Sequence, residues 1–373
     1  MNLLYLNYEF PPLGGGGGPV SFEIAERYVQ LGHSVDVVTM GFKGLPATEM
    51  VQGINIFRVP CIRAKKEICH THEMLTYVLS AIRFIPSLFK QKKYDACHTH
   101  FAIPTGLVAA WVKQKYKLPF IITSHGSDIP GYNNDRFTFA HHFTKPLLKK
   151  VLKESSGNFA GSQYLADLGN KNIAPATPFK VIRQGFNSEQ FVPQAKEKII
   201  LSTGRLLRRK GFQYLIEAVS ATDIGYEVHI CGDGPMMPEL QQLAAKSKTK
   251  IVFHGWIDNN SPEYKELIEK AAIYSLVSAK ENASKSLLEA LSTGCAVITS
   301  NIAGCPESVG DAGITIDPEN ATILRDTIMH LIENPNEMKA RGLAARKYVL
   351  ATYDWAHLMQ QYESALKKIA GIA

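Results

Sequence analysis

A histidine and an aspartate stand three residues apart in Thr123-Ser124-His125-Gly126-Ser127-Asp128, directly after the apolar run Phe120-Ile121-Ile122. An imidazole and a carboxylate on a loop leaving a buried strand can both point into a cleft, where they are candidate catalytic groups. Ser127 or Asp128 can equally be read as a helix N-cap. A second pattern is cationic. Arg205 and Lys210 lie five apart in Gly204-Arg205-Leu206-Leu207-Arg208-Arg209-Lys210-Gly211, a guanidinium fork and an ammonium point charge that can converge on one diphosphate; a solvated basic loop is the alternative. A third pattern is the pair Glu281 and Glu289 flanking Asn282-Ala283-Ser284-Lys285-Ser286-Leu287-Leu288. A helix starting near Ser284 aims its unpaired N–H groups at an anion, while the two carboxylates accept from ligand hydroxyls. On spacing alone, Glu289 pairing Lys285 on a solvated face fits as well. Lastly, Pro11-Pro12-Leu13 runs into five glycines, residues 14–18. There Gly16 and Gly17 can bring backbone N–H groups close to a phosphate at a helix start, with a flexible turn as the plain alternative. The run is neither a dinucleotide fingerprint nor a P-loop, since no spaced acid and no Lys-Ser/Thr follows it.

All four patterns fall at the ends of apparent strands. Residues 3–6 read as a buried strand, 20–31 as a helix closed by Gly32, and 34–39 as the next strand: one βαβ unit, which implies a parallel sheet. Further strands are expected at 54–59, 96–98, 120–123, 158–160 and 180–182, with helices at 76–90 and 105–115. The pattern restarts near residue 190. A strand at 199–203, a basic turn and a helix at 211–219 are followed by strands at 227–231, 251–254, 274–278 and 296–299. Two successive α/β blocks imply two doubly wound domains facing a cleft. They are expected at residues 1–187 and 188–354, with a last helix of about 355–373 packing back on the first.

Length and composition agree: 373 residues, 45% hydrophobic and 20% charged, are those of a two-domain globular enzyme. No stretch reaches the roughly 18 apolar residues of a membrane span, and Met1 to Asn7 does not read as a signal peptide. The six cysteines form no C-x-x-C pair, so reduced thiols and a cytoplasmic setting are expected. The net charge of +7 is uneven: the first 187 residues hold 21 Lys and Arg against 12 Asp and Glu, the remainder 20 against 22. A basic first half suits an anionic partner, or is a merely solvated basic surface.

Taken in order, these residues resemble the family-4 retaining glycosyltransferases of the GT-B fold (glycosyl transferases group 1). The resemblance starts at Tyr8-Glu9-Phe10-Pro11-Pro12 and passes through Tyr94-Asp95-Ala96-Cys97-His98-Thr99-His100, His125-Gly126-Ser127-Asp128 and Val181-Ile182-Arg183-Gln184-Gly185-Phe186-Asn187. It continues through Gly204-Arg205-Leu206, Lys210-Gly211, Gly232-Asp233-Gly234-Pro235, His254-Gly255-Trp256, the two glutamates, Gly294-Cys295-Ala296-Val297-Ile298 and Gly304-Cys305-Pro306-Glu307. It implies two Rossmann-like domains, the first binding the acceptor and the second a nucleoside diphosphate sugar. UDP is favoured over GDP, and the transferred group is a hexose or N-acetylhexosamine. By the same resemblance Arg205 and Lys210 hold the diphosphate, and Glu289 the ribose. Glu281 holds the donor sugar, the backbone of Asn282, Ala283, Ser284, Ser286 and Leu287 the sugar and phosphates, and Gly255 and Trp256 the base. His125 stands by the transferred sugar, with Asp128 positioning it or the acceptor. No metal or other cofactor is implied, and the partners are the donor and a glycan or lipid-linked acceptor, not nucleic acid; the basic first half adds an anionic membrane surface as an expected partner. The chain departs from the family in having Asn282-Ala283-Ser284 where Gly-Phe-Gly is frequent, and Gln184 and Asn187 where Asn and Asp are. A GT-B sugar-nucleotide epimerase and an inactive nucleotide-sugar-binding protein are the alternative readings.

Overall fold

The structure, a computed structural model, describes residues 1–132 and 134–372, with the backbone alone for 134–143. It divides into two compact units, Met1–Gln184 together with the chain from Ala356 onward, and Gly185–Trp355. The breaks fall three residues before and one after the positions expected from sequence. The reason is local. Gly185 lies so close to Trp355 that a Cβ would stand 2.2 Å from the indole, and the Phe186 N–H donates to the Tyr353 carbonyl at 2.9 Å.

The first unit is built on strands β1 (Asn2–Leu6), β2 (Ser34–Met40), β3 (Thr48–Val51), β4 (Ile54–Val59), β5 (Ala96–His100), β6 (Phe120–Ser124), β7 (Gly157–Ala160) and β8 (Phe179–Val181). Their order is β3-β4-β2-β1-β5-β6-β7-β8. β3 alone among the described strands runs antiparallel, on β4. Helices α1 (Gly17–Gln30), α2 (Thr71–Gln91), α3 (Thr105–Tyr116), α4 (Asn134–Glu154) and α5 (Gln163–Ile173) connect them. Consecutive residues of β1 face opposite ways. Leu4 and Leu6 enter the core with Cys97, Ile122 and residues of α2 and α3. Tyr5 faces the other way, toward Tyr28 of α1 and His98.

The second unit contains β9 (Glu197–Thr203), β10 (Glu227–Cys231), β11 (Ile251–Gly255), β12 (Ala271–Leu276), β13 (Ala296–Ser300) and β14 (Ile314–Ile316), in the order β11-β10-β9-β12-β13-β14 and all parallel. Between and after them come α6 (Phe212–Val219), α7 (Met237–Ala244), α8 (Pro262–Lys270), α9 (Lys285–Ser292), α10 (Cys305–Val309), α11 (Ala321–Glu333) and α12 (Pro335–Thr352). Leu201 and Tyr274 pack on one face of this sheet, Ile200 and Ile273 on the other. The last helix, α13 (Trp355–Ala370), carries the chain back to the first unit. There Glu363 pairs with His33 at 3.2 Å.

Two strands escape the apolar pattern. β3 is a short exposed edge strand and β14 a three-residue edge strand with an exposed centre, so neither shows the buried apolar run that marks a strand. α1 starts inside the glycine run, at Gly17, where a helix start read from apolar spacing falls three residues later. The strand expected at 274–278 is observed at Ala271–Leu276; Val277, though buried, already belongs to the loop that Gly211 and the Arg209 carbonyl hold. No helix among the described residues is long and apolar enough to cross a membrane.

One polar group sits deep in the first sheet. Asp36 in β2 is buried and accepts hydrogen bonds from Tyr94 Oη at 2.5 Å and Asn55 Nδ2 at 2.9 Å, with Lys92 Nζ at 2.8 Å. Asp36→Ala removes the acceptor of Tyr94 and Asn55 and leaves Lys92 only Ser34 Oγ at 3.0 Å among the described residues. A loss of roughly 3 kcal/mol is expected in urea unfolding, the scale of removing one member of a buried ion pair. A change under about 0.5 kcal/mol, the usual size for a surface substitution, would show that the cluster is not a support of the sheet.

Candidate functional site

In the second sheet, β9 and β12 are neighbours whose following segments leave toward different strands, and the patterns of interest occupy their carboxyl ends. Gly204 follows β9 and Arg205 projects, exposed, with no hydrogen-bond or ionic partner among the described residues. A single 3-10 turn, Arg208–Lys210, ends at Gly211 with φ +80°. A Cβ at Gly211 would stand 2.4 Å from the Val277 carbonyl oxygen, so glycine lets the basic turn press against the loop after β12. The Ala279 N–H and the Ser278 hydroxyl both donate to the Arg209 carbonyl, at 2.7 and 2.9 Å. This stitching brings Lys210 against Glu281 as an ion pair, with side chains 18% and 12% exposed. Sequence reading gave these two residues separate tasks; in the fold they hold one another.

The loop beyond is pinned from its far side. The Gly304 N–H donates to the Glu281 carbonyl at 2.9 Å, and a Cβ at Gly304 would overlap the Asn282 carbonyl oxygen. Asn282 and Ala283 are half-buried there. α9 then starts after Ser284, whose hydroxyl meets that of Ser286 at 3.0 Å and makes no cap bond to the backbone. Its first-turn N–H groups therefore lack the usual side-chain cap. Leu287 follows in the first turn of α9. Its side chain lies in the core and its N–H already donates to the Ser284 carbonyl at 3.1 Å.

Glu289 is fully buried, which excludes the surface pairing with Lys285. Its carboxylate accepts from Tyr264 Oη at 2.5 Å and from Asn259 Nδ2 at 3.3 Å to each oxygen. Burial raises its pKa, against the hydrogen bond from Tyr264, the charge of Lys285 and the bond from Asn259. Tyr264 and Asn259 line a cavity of about 360 Å³ with Arg205, Trp256, Ser286 and the Gly204 and Gly232 backbones. Trp256 is 74% exposed at its rim. Gly255 turns there with φ +68° and accepts the Gly232 N–H at 2.6 Å. Asn259 and Tyr264 carried no signal in the sequence. Ser261-Pro262 marks the start of α8, but nothing ties Tyr264 to a glutamate 25 residues away.

In the first unit the glycine run is held rather than loose. The Gly14 N–H donates to the Lys66 carbonyl at 2.8 Å and the Gly15 N–H to Glu9 Oε2 at 3.3 Å. Gly16 is the N-cap of α1 and faces open space. A Cβ at Gly17 would reach 2.7 Å from the Phe101 ring and 3.2 Å from the His125 imidazole, so the missing side chain seats the helix start beside His125. No helix begins at Ser127 or Asp128. Asp128 is buried, and its carboxylate accepts the N–H groups of Ala102 at 2.8 Å and of His125 and Gly126 at 3.2 Å. It shapes the loop backbone. The imidazole of His125 is held instead by His100, Nε2 to Nδ1 at 2.8 Å, a partner quoted in the sequence motif but given no role there. Among the described residues no group of three or more His, Cys, Asp or Glu is placed to hold a metal ion.

A family model described as Glycosyltransferase Family 4 matches residues 14–190, and one described as Glycosyl transferases group 1 matches residues 184–348. The chain is 23% identical to N-acetyl-alpha-D-glucosaminyl L-malate synthase of Bacillus anthracis, over 95% of this chain and 94% of that protein. Sucrose-phosphate synthase from Thermosynechococcus elongatus superposes with a TM-score of 0.83 at 18% identity, covering 100% of both chains. Anabaena HepE, solved in complex with UDP, superposes with a TM-score of 0.78 at 17% identity, covering 99% of this chain and 100% of that one. Both superpositions share the GT-B fold.

Burial holds the imidazoles of His98, His100 and His125 neutral. It lowers His98 to about 3, His100 well below the ordinary value and His125 to about 4, the last despite the opposing charge of Asp128. A histidine whose pKa is depressed on folding contributes stability that is complete above its unfolded pKa, near 6.5, and lost as pH falls toward the folded value. Between pH 6.5 and 5 the unfolding free energy from urea titration should drop, by up to about 1.4 kcal/mol per pH unit for each fully buried histidine. In His98→Asn the slope should be shallower by about one proton; an identical slope would mean that His98 titrates normally in the folded protein.

Proposed function

Because this chain belongs to the family-4, group 1 glycosyltransferases, whose two models together span residues 14–348, we propose that it moves a hexose or N-acetylhexosamine from a UDP-sugar to a hydroxyl acceptor with retention of configuration. The observation that carries this reading is Arg205, an exposed guanidinium without a partner among the described residues, opening on the same cavity as Ser286 in the first turn of α9. A guanidinium and a helix N-terminus converging on one space suit a diphosphate. Lys210 lies at the same strand edge, held by Glu281. Trp256 offers its exposed ring to the base. Glu289 takes the ribose hydroxyls when Asn259, bonded at only 3.3 Å, gives way. The relatedness to an N-acetylglucosaminyl-transferring synthase and the fold shared with a UDP-binding protein support the donor class.

Breaking the anomeric bond requires that charge developing on the departing diphosphate be met by groups already in place, commonly the largest catalytic term. Arg205, Lys210 and the first turn of α9 supply this without a metal. The leaving phosphate takes the acceptor's proton, since neither His125 nor Asp128 is presented as a nucleophile. We place the acceptor at the first unit, beside His125, Gly16 and Gly17, and assign it to lipid-linked or cell-surface glycan precursors. Lys145, Lys149, Lys150 and Lys153 are exposed on α4 together with Leu147, and α2 exposes Leu75 and Leu79 above Arg83 and Lys90. Such a mixed basic and apolar surface suits an anionic bilayer. Of the lysines at 90–93, Lys92 is committed to Asp36 and takes no part. The free state of all six thiols suits a reducing compartment, the cytoplasmic side of that bilayer.

Turnover of a panel of nucleotide sugars, with lipid extract as acceptor and EDTA present, tests the activity. Arg205→Ala should lower kcat/KM by about 30- to 1,000-fold, roughly 2–4 kcal/mol of transition-state stabilisation, with the circular dichroism spectrum unchanged. Near-normal turnover in that variant would remove the diphosphate site from the second sheet. Vesicle sedimentation tests the membrane. Binding is expected to phosphatidylglycerol but not phosphatidylcholine vesicles, weakening with salt and in Lys145→Glu/Lys149→Glu/Lys150→Glu, at about 1 kcal/mol per lysine near the surface. Equal partitioning to both vesicle types would favour a soluble acceptor.

A further inference from the structure

Three histidines of the first unit form a ladder beneath the proposed acceptor site. The rings of His98 and His100, two residues apart on β5, lie 4.5 Å apart, and those of His100 and His125 lie 5.1 Å apart and stacked. His98 is satisfied at both nitrogens. The Thr123 hydroxyl donates to Tyr362 Oη at 3.3 Å, so its oxygen accepts from His98 Nε2 at 2.8 Å, and Tyr28 Oη serves Nδ1 at 3.1 Å. His100 differs. Its Nδ1 meets His125 Nε2, but its Nε2 is buried and has no hydrogen-bond partner among the described residues. The ring of Tyr5, centred 4.8 Å away, packs against it.

That orphan nitrogen decides where the protons sit. Orphaned buried N–H groups are rarer in proteins than under-satisfied acceptors, so the bare position, Nε2, is the lone pair and His100 carries its hydrogen on Nδ1. Nδ1–H then donates to His125 Nε2, which must be an acceptor. A neutral imidazole has one of each, so the hydrogen of His125 is on Nδ1, the nitrogen without a partner among the described residues, on a ring that is partly exposed. The reverse arrangement would bury an unpaired N–H on His100.

We infer that His100 is a positioning residue that fixes His125 as its Nδ1–H tautomer, so that His125 meets the substrates as a hydrogen-bond donor to an oxygen and not as a base. Its one lone pair is occupied by His100. It therefore grips a sugar hydroxyl or a phosphate oxygen, and the acceptor's proton must leave by another group, as the proposed function has it. Burial keeps all three rings neutral at pH 7. This inference rests on the proposed function only for the identity of the oxygen; the tautomer is a property of the protein alone.

Long-range proton–nitrogen spectra of the full chain labelled with nitrogen-15 histidine, at pH 7 and without ligand, read the tautomer directly. His125 is assigned by the signal lost in His125→Gln. Its Nδ1 should be the protonated nitrogen in the wild type and in His100→Asn, whose amide N–H replaces the donor. In His100→Leu, which lacks a donor, the tautomers should mix or invert. A wild-type His125 protonated on Nε2 overturns the inference, and so does a tautomer unmoved in His100→Leu. Circular dichroism and the dispersion of the His98 signals, which belong to the same unit, report whether His100→Leu is folded; should it fail to fold, the wild-type and His100→Asn spectra still decide. In turnover, kcat should fall on the order of a hundredfold in His100→Leu with donor KM within about twofold, and recover in His100→Asn. Absence of turnover from every nucleotide sugar in the wild type would defeat the proposed function and leave the tautomer result standing.

Discussion

The hydrogen-bonded pairing of β9 with β12, and of β1 with β5, is the constraint on which the candidate sites depend. Each pair joins strands that are neighbours in the sheet but far apart in the chain. On one side of the pair the sheet grows outward through earlier strands, on the other through later ones. Parallel strands must be joined by crossovers, which are almost always right-handed, so the segments leaving the two carboxyl ends part toward opposite faces. The gap between them is where open α/β sheets bind ligands. Gly204 and Arg205 leave β9 there, and the loop carrying Glu281 leaves β12. The glycine run leaves β1 and Phe101 leaves β5, with His125 one strand further on.

A parting of loops makes room but does not place side chains. Backbone contacts do that, and glycine permits them. Gly211 lets the basic turn touch Val277, and Gly304 lets α10 press on Asn282. Loops held by main-chain contacts keep their geometry whatever side chains do, which is the preorganisation an electrostatic site needs. The charges are treated in the same spirit. Glu281 is held by Lys210 and Glu289 by Tyr264 and Asn259. Arg205 is left as the exposed cation at the cavity wall.

Much of this was legible in the chain. Apolar runs ended by glycine turns mark most of the strands, and the restart near residue 190 marks the second unit, because both express burial, which residue type reports directly. The edge strands β3 and β14 were not legible, being largely exposed and so without a buried apolar run. Nor was the true length of the first helix, since glycine propensity argues against a helix start that packing against Phe101 and His125 enforces.

Side-chain partnership divides what sequence determined from what tertiary structure decided. Sequence alone determined that an imidazole, two cations and one glutamate stand in loops past strand ends, with a second glutamate beyond a helix start, because such ends are punctuated locally. It could not say that Asp128 serves three backbone N–H groups, that Glu289 faces inward to Tyr264, or that His100 and not Asp128 holds the His125 ring. Those pairings join residues up to tens of positions apart, and they depend on strand register and on which face of a pleat a residue occupies. A shift of one residue reverses that face, and only the assembled sheet, with helices packed on both sides, sets it.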